Sequence, residues 1–299
     1  MKEGLYTKKL KADRIICSLC QHQCLISPGS AGRCVIRENN GGKLHVLNYG
    51  KITSEVVEPI SGVPLLHFLP GEECFTVSTQ GTNFTWPQSE EKPKKITPEQ
   101  IAKRAVKEGC SAIAFVDDEP TMAMEMIVEA AKKARSLKKR VIIKTNGYFG
   151  PRTFNELCKQ IHAVHVMLDS VDKDVFFSMT GAKVFHVMMN IRSLKMSKIW
   201  VEVGSYFKTG VNDKPGQIIG LIEFIKDIDP ELPWHVDGDD SEKRKEIIAL
   251  ARERGLLNVY GPHQDITCHN CKKVLLDENE LHVEKNKCTH CDADIIGVF

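Results

Sequence analysis

No apolar run in the 299 residues approaches the length that a membrane-spanning helix needs. The opening residues, MKEGLYTKKLKADR, are charged and lack the apolar core of a secretory leader. A charge excess is lacking too. With 41 Lys and Arg against 39 Asp and Glu, the net charge is +2, too small for a long electrostatic track along nucleic acid. These absences predict a cytoplasmic location and no membrane or nucleic-acid partner. A further absence is local. The stretch STQGTNFTWPQSEEKPKK, from Ser78, lies between an apolar run and a helix start, where a loop is expected to carry chemistry. It holds no Cys and no His, in a chain with 11 cysteines.

Eight of those cysteines fall in two tight groups near the ends of the chain, and in a reducing compartment such grouping reads as metal ligation. The other three, Cys74, Cys110 and Cys158, stand alone in apolar surroundings and read as small core hydrophobes. Toward the C-terminus, Cys268-x2-Cys271 is followed after 16 residues by Cys288-x2-Cys291, the spacing of a zinc ribbon. So short a segment cannot build a sufficient core of its own, so the metal is expected to be structural. Iron in a rubredoxin-like site is the alternative. Toward the N-terminus, CSLCQHQCLISPGSAGRC gives Cys17-x2-Cys20-x3-Cys24-x9-Cys34. This set suits tetrahedral zinc or an iron–sulfur cluster, and spacing alone does not separate them. His22 is a spare group that reads as a neighbour of the metal rather than a ligand. His263, His269, His282 and His290, near the ribbon, read as surface groups.

Three regions follow: a four-cysteine metal module at 1–71, an alternating region at 72–257 and a ribbon-like tail at 258–299. In the middle region CFTVST, SAIAFV, RVIIKT, AVHVML, IWVEVGSY and LPWHV read as strands, each followed by a helical segment. Thr97, Pro98 and Gln100 give a capping box with proline in the first turn, and Gly109 stops that helix. Strand then helix, repeated about six times, predicts parallel strands with helical crossovers, an α/β partial (β/α)6 TIM-like barrel. An open doubly wound sheet is the second choice, weakened because no Gly-rich fingerprint follows the first strand.

In such barrels function sits on the loops after the strands. Here those loops are 82–89, 117–120, 145–147, 167–169 and 237–240. They bring Asp117, Asp118, Glu119, Asp169, Asp237, Asp239 and Asp240 to one rim. Carboxylates at strand ends are commonly solvated or helix-capping groups, and a hard-cation or basic-ligand site is the alternative.

Taken together, CSLCQHQC with GSAGRCVIRE, EPISGVPLLHFLPGEE, GCSAIAFVDDEPT, KTNGYF, TGVNDKPG, ELPWHV, TCHNC and CTHCDADIIGVF resemble the AmmeMemoRadiSam-type radical SAM proteins, relatives of the pyruvate formate-lyase activating enzymes. The similarity is collinear over nearly the whole chain. It implies a radical SAM barrel whose first loop carries Cys-x3-Cys-x2-Cys, holding a [4Fe–4S] cluster that cleaves S-adenosylmethionine (SAM). In GTNFTWPQS, Gly81, Asn83 and Phe84 match, but the three ligand positions fall on Thr82, Trp86 and Ser89, none a thiolate. Trp86 suits the emptied apolar mouth. The family's Asp-x-Lys pair, which holds the SAM amino acid moiety, falls on Met167 and Asp169. After the sixth strand, Val236 leads through DGDD straight to the last helix, so an Arg/His-containing segment of the family is missing. Glu119, which the resemblance places at the SAM amino group, and Asn146 of TNGY are kept.

These losses predict that no residue is catalytic and that the radical cluster and SAM are gone. The chain is then expected to act as a metal-stabilised binding or scaffold pseudoenzyme. An enzyme working through another metal or cluster, through the rim carboxylates for example, is the alternative; a nucleic-acid module built on the ribbon is the third reading. The resemblance implies a Memo-like or AMMECR-like companion, or an intact paralogue, as partner.

Overall fold

The computed structural model describes residues 2–87, 90–277 and 280–299. One curved sheet organises it. Its strands are β1 (Ser54–Pro59), β2 (Glu73–Ser78), β3 (Ala112–Val116), β4 (Arg140–Thr145), β5 (Ala163–Met167), β6 (Trp200–Phe207), β7 (Trp234–Gly238) and β8 (Val259–Tyr260). They lie side by side in chain order, with β1 antiparallel to β2 and every other neighbour parallel. A doubly wound sheet reverses its strand order, and this one does not, so the architecture is a partial α/β barrel. The sheet takes in a strand outside each of the expected limits at 72 and 257.

Helices α1 (Pro98–Lys107), α2 (Met124–Ser136), α3 (Pro151–Gln160), α4 (Lys173–Thr180), α5 (Val184–Lys195), α6 (Pro215–Ile228) and α7 (Ser241–Glu253) connect the parallel strands. Strand alternation separates two cores. In β3, Ile113 and Phe115 join the cluster that includes helical Ile127 and Ala131, while Ala112, Ala114 and Val116 face inward onto Ile60, Leu65 and Phe68. Helix α1 starts as its sequence predicts. Thr97 accepts from Gln100 N, and Gln100 accepts from Thr97 N, so each side chain satisfies a backbone donor the helix leaves open. Gly109, at φ +77°, lets the chain leave α1 in the left-handed region.

Residues 2–46 fold into two small three-stranded antiparallel sheets. At the other end, residues 266–295 form the ribbon, and the backbone after it returns to the barrel. There Leu69 N donates to Val298 O and Val298 N donates to His67 O. Among the described residues no helix is long and apolar enough to cross a membrane.

Candidate functional site at the barrel mouth

The loop after β2 is folded shut on itself. Thr82 and Asn83 are buried, and Thr82 Oγ1 accepts from Phe84 N in a tight turn. Phe84 meets Trp86 edge to face at 4.9 Å and Phe176 of α4 in the same way at 5.8 Å. The Trp86 indole donates to Met179 O and Thr85 N donates to Thr180 O, which pins the loop to the end of α4. On the other side Gly81, at φ +112°, lies so close to Ile36 that an added Cβ would meet it at 2.6 Å. Ser89 lies outside the described residues.

Three loops are tied together beneath it. Glu119 is fully buried and accepts from Thr121 N, Thr121 Oγ1, Thr145 Oγ1 and Asn146 N at 2.6–3.0 Å. Burial raises its pKa. Asn146 Nδ2 donates to Asn83 Oδ1 at 2.7 Å, so Glu119, Asn146 and Asn83 form one chain of contacts across the loops after β3, β4 and β2. Met167, half-buried, faces Gly204. Asp169 is buried and accepts from Tyr206 N; burial lifts it to about 6.

The other rim carboxylates serve local structure. Asp117 accepts from Ser78 Oγ, Asp118 from Gly81 N, and Asp239 from Tyr206 OH. Asp240 caps α7, and Asp237 lies 3.7 Å from Arg244. Among the described residues no three of these carboxylates gather their oxygens within 4.8 Å.

The N-terminal cysteines lie at this same mouth, which their position in the chain does not reveal. Cys17, Cys20, Cys24 and Cys34 line one small closed cavity together with His22, Arg37, Asn83 and Met122. The module docks through Cys20, which bridges to Phe149, and through His22, whose Nε2 donates to Asn83 O at 2.7 Å and whose ring packs on Tyr148. Arg37 is fully buried and pairs with Glu125 of α2, yet its Nε and Nη1 have no hydrogen-bond partner; neither has Asn83 Nδ2. Buried donors left so cost about 1–3 kcal/mol each. A group of thiolates on a metal is the anionic acceptor that such a lining suits. Without a metal, burial raises the Cys17, Cys20 and Cys34 thiols, Cys20 to about 12.

The C-terminal cysteines are arranged differently. Each pair forms the same knuckle. Lys272 N donates to Cys268 O and Asp292 N to Cys288 O, with Lys272 and Asp292 both at left-handed φ. The four Sγ atoms lie within 4.8 Å of one another, with Cys268–Cys291 at 3.6 Å and Cys271–Cys288 at 3.8 Å. A Zn–S length of about 2.3 Å places tetrahedral thiolates about 3.8 Å apart, so the set fits zinc as it stands. The backbone N–H of Ala293 and the Asn270 amide bring Cys291 down to about 6. Among the described residues no three N-terminal thiols come together so closely.

Sequence reasoning missed a polar stack inside the barrel. Glu202, fully buried, accepts from Leu66 N, His67 N, Trp200 Nε1 and His235 Nε2. Burial alone would raise its pKa, but the His235 contact takes it below the usual value. His165 pairs in register with Glu202, stands 5.4 Å from His235, and is buried with both ring nitrogens unpartnered. The missing side chain of Gly204 makes its room, for a Cβ there would lie 2.4 Å from His165 Cε1. The signal was available in AVHVM and WVEVG, where His165, Glu202 and Gly204 occupy inward positions.

Known proteins resemble this chain most clearly over the barrel. The radical SAM superfamily profile matches residues 74–222. An uncharacterized protein of Methanocaldococcus jannaschii is 27% identical over 99% of this chain and 99% of its own length. Among solved structures, a domain of a pyruvate-formate lyase-activating enzyme from Bacteroides vulgatus is 16% identical with a TM-score of 0.45, covering 50% of this chain and 98% of that one. Streptococcus suis SuiB, bound to precursor peptide SuiA, is 15% identical with a TM-score of 0.49; 60% of this chain matches 46% of SuiB, so the likeness spans under half of that protein. The chain is a radical SAM superfamily protein.

That superfamily implies a [4Fe–4S] cluster and SAM, and the residues of this first loop do not fit them. Thr82 and Trp86 offer no thiolate and are engaged in the loop's own packing, and Ser89 offers none either.

Proposed function

We propose that this chain is a radical SAM homologue that does not cleave SAM and works as a metal-stabilised binding or scaffold protein. The observation that carries this reading is the first loop, whose ligand positions at 82 and 86 are a buried threonine and an indole locked to α4. Two features below it agree. Glu119 already accepts four protein donors, and Asp169 stands where the family holds the SAM carboxylate with a lysine. Each lost charge-assisted contact is worth about 1.5–3 kcal/mol, so affinity falls by several powers of ten when they go together. Calorimetry of anaerobically purified protein is expected to show no SAM binding at millimolar ligand. Micromolar affinity, or SAM cleavage after cluster reconstitution, overturns the reading. Its partner is then a Memo-like or AMMECR-like companion or an intact paralogue, testable by co-purification with each.

A second reading keeps activity and rests on the N-terminal cavity. Four thiols, a buried arginine with two unpartnered nitrogens and an unpartnered Asn83 amide line it at the barrel mouth. Among the described residues no three of these thiols gather within 4.8 Å as the ribbon's do, which favours a polynuclear iron–sulfur centre over a single zinc, because cluster thiolates stand further apart. A visible iron–sulfur absorption that changes on adding SAM favours this reading over the first; one that is indifferent to SAM, or a colourless zinc protein, removes it.

A further inference from the structure

The opposite end of the barrel carries a cleft of about 830 Å³, formed where β4, β5 and β6 begin. Its rim includes Arg135, Arg140, Lys159, His162, Lys195 and Lys198, and among the described residues no Asp or Glu lines it. Part of this charge has a structural explanation. Lys159 and Lys195 lie at the ends of α3 and α5, where a cation offsets the helix dipole, and they pair with Glu156 and Asp229. Arg135 is likewise in the last turn of α2, but no acid is paired with it among the described residues. Arg140 opens β4 and Lys198 sits in the turn before β6, so neither serves a helix end, and neither has an acidic partner among the described residues.

The three helix ends contribute about −0.5 charge each, so the three unpaired cations outweigh them by about +1.5. Like charges held around one concavity raise the local concentration of anions. The floor is of another kind: Ile161, Ile199 and Val201 come from the cluster under the helices, and the half-exposed Trp200 indole packs with Phe68 on the inner cluster. His162 adds a neutral donor. Its Nδ1 accepts from Val141 N, which leaves the proton on Nε2, and burial, with Arg135 and Arg140 nearby, lowers it to about 4.

We propose that this cleft binds a small polyanion carrying a flat, apolar ring system, with the anionic groups on Arg135, Arg140 and Lys198 and the ring against Trp200. A nucleoside triphosphate has this chemistry. The site is independent of the barrel mouth and of whether SAM is cleaved.

The probes are ATP and inorganic pyrophosphate without added metal, titrated into the full chain by calorimetry and tryptophan fluorescence at low and physiological salt. ATP is expected to bind, pyrophosphate at least fivefold more weakly, and both to weaken as salt rises. Arg140→Glu with Lys198→Glu should weaken ATP at least tenfold, and Arg140→Gln with Lys198→Gln less. Lys243→Glu on α7, far from the cleft in the sheet order, should change nothing. Bound ATP should raise the pKa of His162, followed by NMR. The proposal is overturned if neither probe binds at millimolar concentration in low salt, or if the charge-reversed pair keeps full affinity. It is overturned too if ATP and pyrophosphate bind equally, or if single-stranded RNA binds and ATP does not.

Discussion

At the C-terminus four thiols stand within 4.8 Å of one another around Ile266, Leu275 and Ile295; at the N-terminus four thiols line a cavity shared with a buried arginine and the first barrel loop. Ligand number is the same and the surroundings are not. The ribbon has almost no core besides its ligands, so its metal and its fold form together. The N-terminal group is built into the large cluster that includes Leu19, Phe149 and Met122, so its fold has support that does not depend on a metal. Cysteine spacing therefore tells how many ligands a site has, while what the site does to stability depends on what else is packed there.

The largest expected effect tests the ribbon half of this contrast. Cys271→Ser or Cys291→Ser should lose one metal equivalent and melt residues 266–295, a loss on the order of the 10 kcal/mol and more that structural zinc supplies to such folds. Metal analysis with limited proteolysis checks it. Cleavage confined to the tail is expected, and full metal content with an unchanged proteolysis pattern would show that the thiols are not ligands.

Next comes the arginine that sets the N-terminal site apart. Arg37→Met leaves Glu125 buried and uncompensated and should cost about 3–5 kcal/mol in urea unfolding. Adding Glu125→Gln should recover most of that. If the two changes simply add, the pair is not coupled and the contrast between the sites weakens.

A smaller effect belongs to the mouth beneath both loops. Asp169 is held at about 6 in the fold and titrates at about 3.9 when unfolded. The folded state thus binds its proton more tightly, so this contribution is complete below about pH 4 and is lost as pH rises through about 6. It is worth about 2–3 kcal/mol. Asp169→Asn keeps an acceptor for Tyr206 N and should flatten the profile between these limits. Unfolding at pH 4.5 and pH 8 measures it, and an unchanged slope in the variant would assign the titration elsewhere. Smallest is the barrel wall: Thr97→Ala removes one capping bond and should cost about 1 kcal/mol, equally in metal-loaded and chelator-treated protein. A metal-dependent cost would mean that the barrel is less independent of the two sites than the contrast holds.

Features carried by neighbours in sequence were legible in advance. The capping box at Thr97, the six strands and the C-terminal cysteine spacing are local patterns, and the structure repeats them with strand boundaries shifted by a residue or two. Convergence through space was not legible. Arg37 and Glu125 are 88 residues apart and meet in the core, where neither residue type is expected unless paired. The basic cleft draws on three helices and three strand starts, so the run KKARSLKKR shows Arg135 and Arg140 in the sequence but not the cations they meet. The acidic rim follows the plainer of its two readings. Seven carboxylates at strand ends look like a cluster on paper, yet backbone donors and hydroxyls occupy them one by one.

The pairing of His67–Leu69 with Ile296–Val298 has a consequence in time. His67 and its acceptor at Ile296 are 229 residues apart. At synthesis rates of about 5–20 residues per second, the first partner waits on the order of ten seconds or more for the second to be made. Until then the inner residues Phe68 and Leu65, and the strand edge beside them, lack their final neighbour. The barrel's base is thus closed by residues made long after the ones they meet, and a ribosome stalled within the ribbon would carry an unclosed barrel exposed to chaperones and proteases.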